Sequence, residues 1–305
     1  MPPGAPQPRK LLVTGGRGRL APLIAGHFRA RSVAVDVYSR GGGDGFGDLA
    51  RLHDPAILSS ASAVLHLAWS TLPATSEKGE AREWQQDLPA LERLLAAIAA
   101  LPVSSRPQFV FFSSGGTVYG NAPGRPSVET DPCRPIGRHG QAKRAAEEMI
   151  LAMAARHRLD CAILRISNPY GYPVPPERLQ GIIPHAIRSA VEGRTLTLWG
   201  DGSARKDFIH HTDFLPALEA VVNRRLTGIF NVCAGESHSV REIISLVEKH
   251  TGKKIATTEV AAAAWDVQDS RLDHGLLSQL TGWQPAVGLE EGIRRSIAES
   301  RPSQP

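Results

Sequence analysis

Short apolar runs alternate with longer helix-like segments from Lys10 onward, and this alternation constrains the fold more than any other feature. The runs KLLVT, VAVDVY, AVLHLAW and QFVFFSS have the length and composition of buried strands, while the segments between them, such as LAPLIAGHFRA, have helical periodicity. Strands that alternate with helices form parallel sheets through right-handed crossovers, with helices on both faces. The pattern predicts an α/β fold with a doubly wound parallel sheet of the Rossmann type.

A change in texture near Gly171 suggests two domains. After the run CAILRIS the chain becomes rich in Pro and Gly, and its later segments are shorter and less regular. We predict an α/β domain over residues 9–171 and a smaller α+β region over residues 172–300, with some segments returning to the first sheet. Pro89 lies inside the long helical stretch EWQQDLPALERLLAAIAAL. Because proline lacks an N–H, the helix should kink or restart there.

Composition excludes several classes of protein. Lys and Arg total 35 against 30 Asp and Glu, a net charge of +5, and no basic run is interleaved with aromatic residues, so a nucleic-acid partner is not expected. The three cysteines form no CxxC pair, which argues against a disulfide framework or a zinc site and favours the cytoplasm. The proline-rich start, MPPGAPQPRK, does not resemble a signal peptide, and no apolar run approaches membrane-spanning length, so no membrane partner is expected.

A glycine-rich loop, VTGGRGRLA, follows the first predicted strand and opens the first predicted helix. Glycines there permit a tight turn and close backbone approach, so a pyrophosphate can rest on the helix N-terminus. The strand before the loop and the helix after it favour this interpretation over that of an ordinary turn. The predicted dinucleotide contacts are Gly15, Gly16, Arg17, Gly18, Arg19 and Leu20.

The end of the second strand bears on the choice between NAD and NADP. Asp36 lies too early in VDVYSRGGG, which places Ser39 at the position of the usual ribose-binding carboxylate and Arg40 directly after it. An arginine there can pair with a 2′-phosphate, which favours NADP slightly over NAD. The alternative is that Arg40 is a solvated loop charge.

Several motifs in the same order resemble the extended short-chain dehydrogenase/reductase family, in its nucleotide-sugar epimerase/dehydratase branch typified by UDP-glucose 4-epimerase. They are TGGRGRLA, GDL, HLAWSTLPATS, FVFFSSGGTVYGN, HGQAK, LRISNPYG, LTLWGDGSARKDFIHHTD and GWQP, which together span nearly the whole chain. The resemblance implies that Asp48 and Leu49 border the adenine, and that His66, Leu67 and Ala68 end the strand beneath the ribose. For these strand-end residues the alternative is ordinary packing.

The resemblance also implies positions for the nicotinamide and the substrate, a nucleotide-diphosphate sugar. Ser113, Ser114 and Thr117 would lie beside the nicotinamide, and Asn168 at the floor of the sugar site. The substrate diphosphate would be met by Arg205, Lys206 and Arg271. Lys206 stands where the family usually has arginine, and lysine offers a point charge without a bidentate fork. Each of these cations has the alternative of being a surface charge.

The catalytic motif departs from the family pattern of a Ser or Thr, a Tyr and a Lys. Lys143 is present, but His139 stands at the tyrosine position and Gly115 at the hydroxyl position, so Ser114 or Thr117 would carry the hydroxyl role. Tyr and Lys four residues apart project from one helix face, and so would His139 and Lys143. Imidazole, with an unperturbed pKa of about 6.5, can transfer protons near neutral pH.

We therefore expect an NAD(P)-dependent nucleotide-sugar epimerase that oxidises a sugar carbon transiently. An NADPH-dependent keto-sugar reductase and a cofactor-binding member without catalysis remain as alternatives. The family resemblance also makes a homodimer possible.

Overall fold

The computed structural model describes residues 10–79, 81–122, 124–173 and 179–300. The strands are β1 (Lys10–Thr14), β2 (Ala34–Ser39), β3 (Gly47–Asp48), β4 (Ala63–His66), β5 (Gln108–Ser114), β6 (Cys161–Ile166), β7 (Asn168–Tyr170), β8 (Leu196–Trp199), β9 (Arg205–His210), β10 (Gly228–Val232), β11 (Ser237–Ser239), β12 (Thr257–Val260) and β13 (Asp269–Ser270). The helices are α1 (Leu20–Arg29), α2 (Pro55–Ser59), α3 (Pro73–Ser76), α4 (Leu88–Ala100), α5 (Gly115–Val118), α6 (Arg138–His157), α7 (Ile182–Glu192), α8 (His211–Asn223), α9 (Val240–Thr251), α10 (Gly275–Thr281) and α11 (Leu289–Ser300). None of these helices combines the length and the apolar character needed to cross a bilayer.

A seven-stranded sheet with the order β10-β6-β5-β4-β1-β2-β3 forms the centre of the fold. The pairs β1–β2, β1–β4, β4–β5 and β2–β3 are parallel. The chain adds β2 and β3 on one side of β1 and then crosses to add β4, β5 and β6 on the other. The strand order therefore reverses between β1 and β4, and ligands of open α/β sheets bind beyond the carboxyl ends of the strands at such a switch point. The predicted doubly wound α/β fold is confirmed.

The stretch before α4 takes an unusual form because of Pro89. Residues Glu83–Asp87 form a π-helical turn, here called the π-turn, and the N–H of Leu88 donates to the carbonyl of Glu83. Pro89 has no N–H to continue the ladder, so a regular α-helix begins only at Leu88. The helix then buries one face through Leu91, Leu95 and Ile98. The expected interruption at Pro89 is present.

The contacts divide the chain into two units. The first takes in the described residues up to Ser114 together with Arg138–Arg165 and Ala217–Phe230, and the second takes in Gly115–Gly137, Ile166–Pro216 and the described residues from Asn231. The predicted domain ranges, 9–171 and 172–300, are each continuous, and they stay a prediction.

The second unit has its own small sheets and core. Strand β9 pairs with β7, β11 and β13, while β8 pairs with β12. Helix α9 starts with a capping box between Ser239 and Glu242 and ends at Gly252, whose φ of 69° lies in the left-handed region. Its buried residues pack with those of α7 and α11 around Ile183, Ile243 and Ile293, among others.

Candidate active site

The loop between β1 and α1 is built from glycines that cannot be exchanged freely. Gly15 has a φ of 80°, and a Cβ there would lie 3.1 Å from the backbone nitrogen of Ala68. At Gly16 a Cβ would come within 2.8 Å of the Val37 side chain, and at Gly18 within 2.9 Å of the Gly15 carbonyl oxygen. The loop is held closed by the N–H of Gly18, which donates to that carbonyl at 2.7 Å. The backbone is therefore shaped for close approach rather than for side-chain packing.

Helix α1 begins in a way that leaves its N-terminus suited to an anion. Arg19 occupies the N-cap without a side-chain capping bond, and the first turn, from Leu20, contains no acidic residue. The guanidinium of Arg17 donates to the carbonyl of Gly42 at 2.9 Å and lies 3.2 Å from a carboxylate oxygen of Asp44. A helix N-terminus favours negative charge through its N–H groups and its dipole.

A cleft of about 740 Å³ lies beside this loop. Ligand pockets commonly have volumes of roughly 300–1,000 Å³. The lining residues that the sequence predicts as cofactor contacts are Gly15, Arg17, Gly18, Ser39, Arg40, Asp48, Leu49, Leu67 and Ala68. The structure therefore brings most of the predicted cofactor contacts to one cavity.

Strand β2 ends at the edge of the cleft in Ser39 and not in a carboxylate. Ser39, the last residue of β2, pairs in register with Asp48 of β3 and is buried, whereas Arg40 is exposed. The carboxylate of Asp48 accepts a hydrogen bond from the N–H of Ala50 at 3.0 Å. Asp36 lies in mid-strand and pairs with Lys10 at 2.8 Å, as its early position in the sequence suggests.

The switch point between β1 and β4 is fixed by Thr14. Its Oγ1 accepts hydrogen bonds from the N–H groups of Leu67 at 3.0 Å and Ala68 at 2.9 Å, and it lies 3.1 Å from Nδ1 of His66. Burial, and then the charge of Lys143, lower the pKa of His66 to about 3, so this imidazole is neutral. The hydroxyl group thus holds the strand end that borders the cleft.

His139 and Lys143 lie on the buried face of α6, with only 7% and 6% of their surface exposed. The Lys143 ammonium donates to the carbonyl of Phe112 at 2.8 Å and lies 3.9 Å from the ring centre of Trp69, which lines the cleft. Nδ1 of His139 has no hydrogen-bond partner among the described residues. The four-residue spacing places both side chains in the same interior region, as predicted from the sequence.

Burial changes the proton affinities of both groups. It lowers the pKa of His139 to about 3, with a further contribution from the charge of Lys143 and an opposing one from Glu83. It lowers the pKa of Lys143 to about 7, while Asp87, Glu147 and Glu83 oppose the shift. At neutral pH the imidazole is therefore uncharged, and the lysine is poised between its two protonation states.

Three buried or half-buried carboxylates surround this pair. The Glu147 carboxylate accepts from both Nε and Nη2 of Arg165, the shortest contact being 2.7 Å, and from the hydroxyl of Ser113. Asp87 accepts from the N–H and the hydroxyl of Ser70 at 2.9 and 2.6 Å. The hydroxyl of Thr71 donates to Glu83.

Ser113, predicted to lie beside the nicotinamide, is thus a buried partner of Glu147. Ser114 is the half-buried last residue of β5, and Thr117 belongs to α5 in the second unit. The roles predicted for these three hydroxyl groups stay predictions.

The predicted substrate residues all belong to the second unit. Lys206 pairs with Asp266 at 2.8 Å, Arg271 with Asp269 at 3.2 Å, and Arg205 with Glu242 at 3.4 Å. Strands β9 and β13 are neighbours, with Asp269 opposite Arg205 and Ser270 opposite Lys206, so the backbone segments that carry these cations are adjacent. The side-chain amide of Asn168 donates to the carbonyl of Asp207 at 2.8 Å.

Five residues around the His139–Lys143 pair were not predicted from the sequence: Trp69, Glu83, Asp87, Glu147 and Arg165. Their contacts join segments that are distant in the sequence, which periodicity does not reveal. The one local signal was the pair of acidic residues four apart directly before Pro89. Among the described residues, no group of three or more His, Cys, Asp or Glu side chains is arranged to hold a metal ion.

A glycine loop at the switch point of a doubly wound sheet, with a buried lysine beside the cleft, defines a dinucleotide-binding α/β protein. Residues 11–233 match the model of the NAD dependent epimerase/dehydratase family. The chain belongs to that family.

Individual relatives agree with this assignment. The chain is 30% identical over 189 residues to UDP-glucose 4-epimerase of Mycolicibacterium smegmatis, covering 62% of this chain and 60% of that protein. It is 30% identical over 221 residues to dTDP-6-deoxy-L-talose 4-dehydrogenase (NAD(P)(+)) of Kitasatospora kifunensis, covering 69% and 68%. The crystal structure of the Thermus thermophilus UDP-glucose 4-epimerase with NAD superimposes with a TM-score of 0.83 at 26% identity, covering 95% and 98%. The match thus spans only about three fifths of the M. smegmatis epimerase.

Proposed function

We propose that the protein is a nucleotide-sugar epimerase that uses a nicotinamide dinucleotide and oxidises one sugar carbon transiently, as a UDP-hexose 4-epimerase does. The observation that carries the proposal is the buried pair His139 and Lys143 on one face of α6. The ammonium of Lys143 rests against Trp69, a wall of the cleft beside the glycine loop. A proton-transfer group and a buried cation next to a dinucleotide-sized cavity suit the removal of hydride and proton from an alcohol.

The residues of the first unit fit a dinucleotide. The loop from Gly15 to Leu20 would hold the pyrophosphate on the N-terminus of α1, and Asp48 and Leu49 would border the adenine. Leu67 and Ala68 would contact the ribose on the nicotinamide side, with Ser113 nearby. When bound, the dinucleotide would supply the hydride acceptor and return the hydride later in the cycle. Lys143 would hold its nicotinamide ribose.

His139 is proposed to replace the usual tyrosine as the proton carrier. The neutral imidazole would take the proton of a sugar hydroxyl as the C–H bond gives up its hydride, leaving a keto sugar and an imidazolium. The same proton would return to the oxygen when hydride is delivered to the opposite face. A base whose pKa is about 3 accepts a proton reluctantly, so we expect slow turnover. Ser114 or Thr117 would donate a hydroxyl hydrogen bond to the sugar oxygen.

The nucleotide-diphosphate sugar would be bound by the second unit. Asn168 would contact the sugar or its phosphate, and the cations Arg205, Lys206 and Arg271 would meet the diphosphate. Their present acidic partners, Asp266 and Asp269 among them, would have to share these cations with the substrate.

A turnover assay tests the proposal. Purified protein is incubated with NAD or NADP and a panel of UDP-, GDP- and dTDP-hexoses, and the products are separated by chromatography. We expect interconversion of one 4-epimer pair, at least ten-fold slower in His139→Phe and Lys143→Met. Unchanged turnover in His139→Phe would remove the imidazole from the mechanism.

The cofactor phosphate needs a separate test. The family description and the NAD in the Thermus thermophilus structure favour NAD, whereas Arg40 and the missing carboxylate at Ser39 are the residues that would favour NADP. Calorimetric titration of both dinucleotides, repeated with Arg40→Ala, decides this. A selective loss of NADP affinity in the variant supports the role of Arg40 as a phosphate ligand.

A keto-sugar reductase is the second candidate, because one relative is a dTDP-sugar 4-dehydrogenase that uses NAD(P)(+). A reductase consumes its reduced cofactor in proportion to product, while an epimerase does not. Absorbance at the nicotinamide band during turnover therefore separates the two. A member that binds the dinucleotide without catalysis would show no hydride transfer with any sugar.

Homodimerisation and residence in the cytoplasm stay predictions. Light scattering of the purified protein tests whether it forms a dimer.

A further inference from the structure

Two acidic residues face the predicted proton-transfer pair with a matching spacing. Glu83 and Asp87 are the first and last residues of the π-turn, four apart, and His139 and Lys143 are four apart on the neighbouring helix α6. The π-turn packs against α6, and the charges of both carboxylates act on Lys143.

The segment Trp69–Thr71 fixes the order of these groups. Its three consecutive residues contact, in turn, the Lys143 ammonium, Asp87 and Glu83. Trp69 presents its ring to Lys143 at 3.9 Å, Ser70 donates two hydrogen bonds to Asp87, and Thr71 donates one to Glu83. A short extended segment thus orients one cation and two anions together.

The buried charges around Lys143 sum to zero only when His139 also carries a proton. Glu147 has its own cation, because Arg165 binds it through two nitrogens. Asp87 and Glu83 are in no ion pair within the described part of the chain, and the donors that bind them are hydroxyl groups and a backbone N–H. With all three acids ionised, they exceed Arg165 and Lys143 by one negative charge. A proton on His139 would make the region neutral.

We propose that Glu83 and Asp87 are positioning residues that supply the counter-charge for the His139–Lys143 pair. This inference rests on the proposed function for its catalytic meaning. Asp87 favours the ammonium form of Lys143, and Glu83 stabilises the imidazolium that forms when His139 takes the substrate proton. A buried charge is stabilised by an opposite charge nearby and is otherwise strongly disfavoured.

The proton affinities agree with this arrangement. Asp87, Glu147 and Glu83 all raise the pKa of Lys143 against the effect of burial, and Glu83 raises that of His139. Burial raises the pKa of Asp87, while its hydrogen bonds from Ser70 and the charge of Lys143 lower it. The charged and titratable groups around Lys143 are Asp87 and Glu83 from the π-turn, Glu147 and His139 from its own helix, His66 from β4 and Arg165 from β6.

NMR titration of the protein labelled with ¹³C at lysine Cε tests the proposal directly. The Lys143 resonance is identified by its loss in Lys143→Arg, and we expect its midpoint near pH 7. In Asp87→Asn the midpoint should fall by about one pH unit or more, and in Glu83→Gln by a smaller amount in the same direction. Glu92→Gln, which changes an exposed carboxylate on α4, is the matched control and should leave the midpoint unchanged.

Asp87→Glu separates a charge effect from a packing effect, because it keeps the charge and alters the fit. It should retain the midpoint to within about half a pH unit, less than the shift expected on removing a nearby charge. Midpoints in Asp87→Asn and Glu83→Gln that match the control would overturn the proposal, as would an Asp87→Glu shift as large as that of Asp87→Asn. Should Asp87→Asn not fold, Glu83→Gln alone decides by the same criterion.

The titration needs neither cofactor nor sugar. Absence of turnover in the wild type would therefore contradict the proposed function, but it would not contradict the proposal that Glu83 and Asp87 supply the counter-charge. With an active enzyme, Glu83→Gln should lower kcat at least ten-fold and leave KM within about two-fold, because it acts on the proton carrier and not on the substrate. A rise in KM alone would contradict the role given to Glu83.

Discussion

At the scale of single residues, Lys143 is a buried amine whose proton affinity is set by its surroundings. Its pKa in the folded protein is about 7, because burial outweighs the nearby carboxylates, whereas an unfolded lysine titrates near 10.4. Between these values the unfolded chain binds one more proton than the folded one, so this group makes the protein more stable as the pH rises. The contribution is complete above the unfolded pKa and lost as the pH falls toward 7.

This sign gives a prediction for Lys143→Met. Between pH 7 and pH 9.5 the free energy of unfolding of the wild type should rise relative to that of the variant. The slope should be at most about 1.4 kcal/mol per pH unit, which limits the total rise to several kcal/mol. Urea unfolding at the two pH values measures the difference. Parallel pH dependences in both proteins would show that Lys143 has an ordinary proton affinity.

Gly15, in the loop before α1, and Gly26, inside α1, form a matched pair of glycines for substitution. Gly15→Ala places a side chain at a φ of 80° and 3.1 Å from the backbone of Leu67 and Ala68, whereas a Cβ at Gly26 meets nothing within 4 Å. We expect Gly15→Ala to destabilise the protein by about 1–2 kcal/mol and to weaken dinucleotide binding about ten-fold. Gly26→Ala should be neutral or stabilising by up to about 1 kcal/mol. Thermal unfolding and calorimetric titration test both variants. Equal changes in stability and in dinucleotide affinity would contradict a role for the glycine loop in binding the dinucleotide.

Glu147 tests the buried ion pair. Its side chain is 3% exposed and that of Arg165 is 5% exposed, so Glu147→Gln leaves a buried guanidinium without its counter-charge. We expect a loss of about 3–5 kcal/mol in the free energy of unfolding. Glu148→Gln is the control, because its pair with Arg144 is exposed and is worth at most about 0.5 kcal/mol. Losses of similar size in urea unfolding would contradict a structural role for the buried pair.

Residue-level prediction from sequence worked where the signal was local. The glycine loop and the four-residue spacing of His139 and Lys143 are local features of the sequence, and in the structure the loop joins β1 to α1 while both side chains are buried on α6. Trp69 and Asp87 were missed, because the ring of the first contacts Lys143 and the charge of the second acts on Lys143 across long sequence separations. The catalytic meaning of His139 stays a prediction.

At the scale of elements, the π-turn before α4 is the least regular feature of the first unit. Pro89 predicts an interruption, and the interruption occurs, but the sequence does not specify a π-turn because its apolar periodicity continues on both sides. Strand β3 was not predicted either, since two residues carry no period. The longer strands and helices of the first half of the chain were predicted, because burial imposes clear periods of two and 3.6 on their sequences, whereas helices α7, α8, α9 and α11 of the second half were not predicted individually.

Pro89→Ala tests whether the π-turn matters. The new N–H can donate to the carbonyl of Gln85, so the α-helix should extend backward and rotate Glu83 away from its present position. We expect a change in unfolding free energy of less than about 1 kcal/mol, and at least a ten-fold loss of turnover. Pro102→Ala, next to the short turn after α4, is the control. Full activity in Pro89→Ala would contradict a role for the π-turn.

At the scale of the whole molecule, family membership and fold agree. The chain has a doubly wound sheet and the glycine loop beside its switch point, and we propose that the buried imidazole of His139 acts there as the proton carrier. A dinucleotide that binds only the folded protein should stabilise it by about 2.7 kcal/mol at 100 times Kd. Thermal unfolding with and without NAD or NADP checks this, and a midpoint that neither dinucleotide changes at millimolar concentration would contradict binding.

The central claim is that a nicotinamide dinucleotide lies on the loop from Gly15 to Leu20 with its ring next to His139 and Lys143. A crystal structure of the protein with the dinucleotide bound tests it most directly. We predict the pyrophosphate on the N-terminus of α1 and the Lys143 ammonium within hydrogen-bonding distance of the nicotinamide ribose. A dinucleotide bound elsewhere, or bound on the loop with both side chains out of reach of the nicotinamide, would contradict the account.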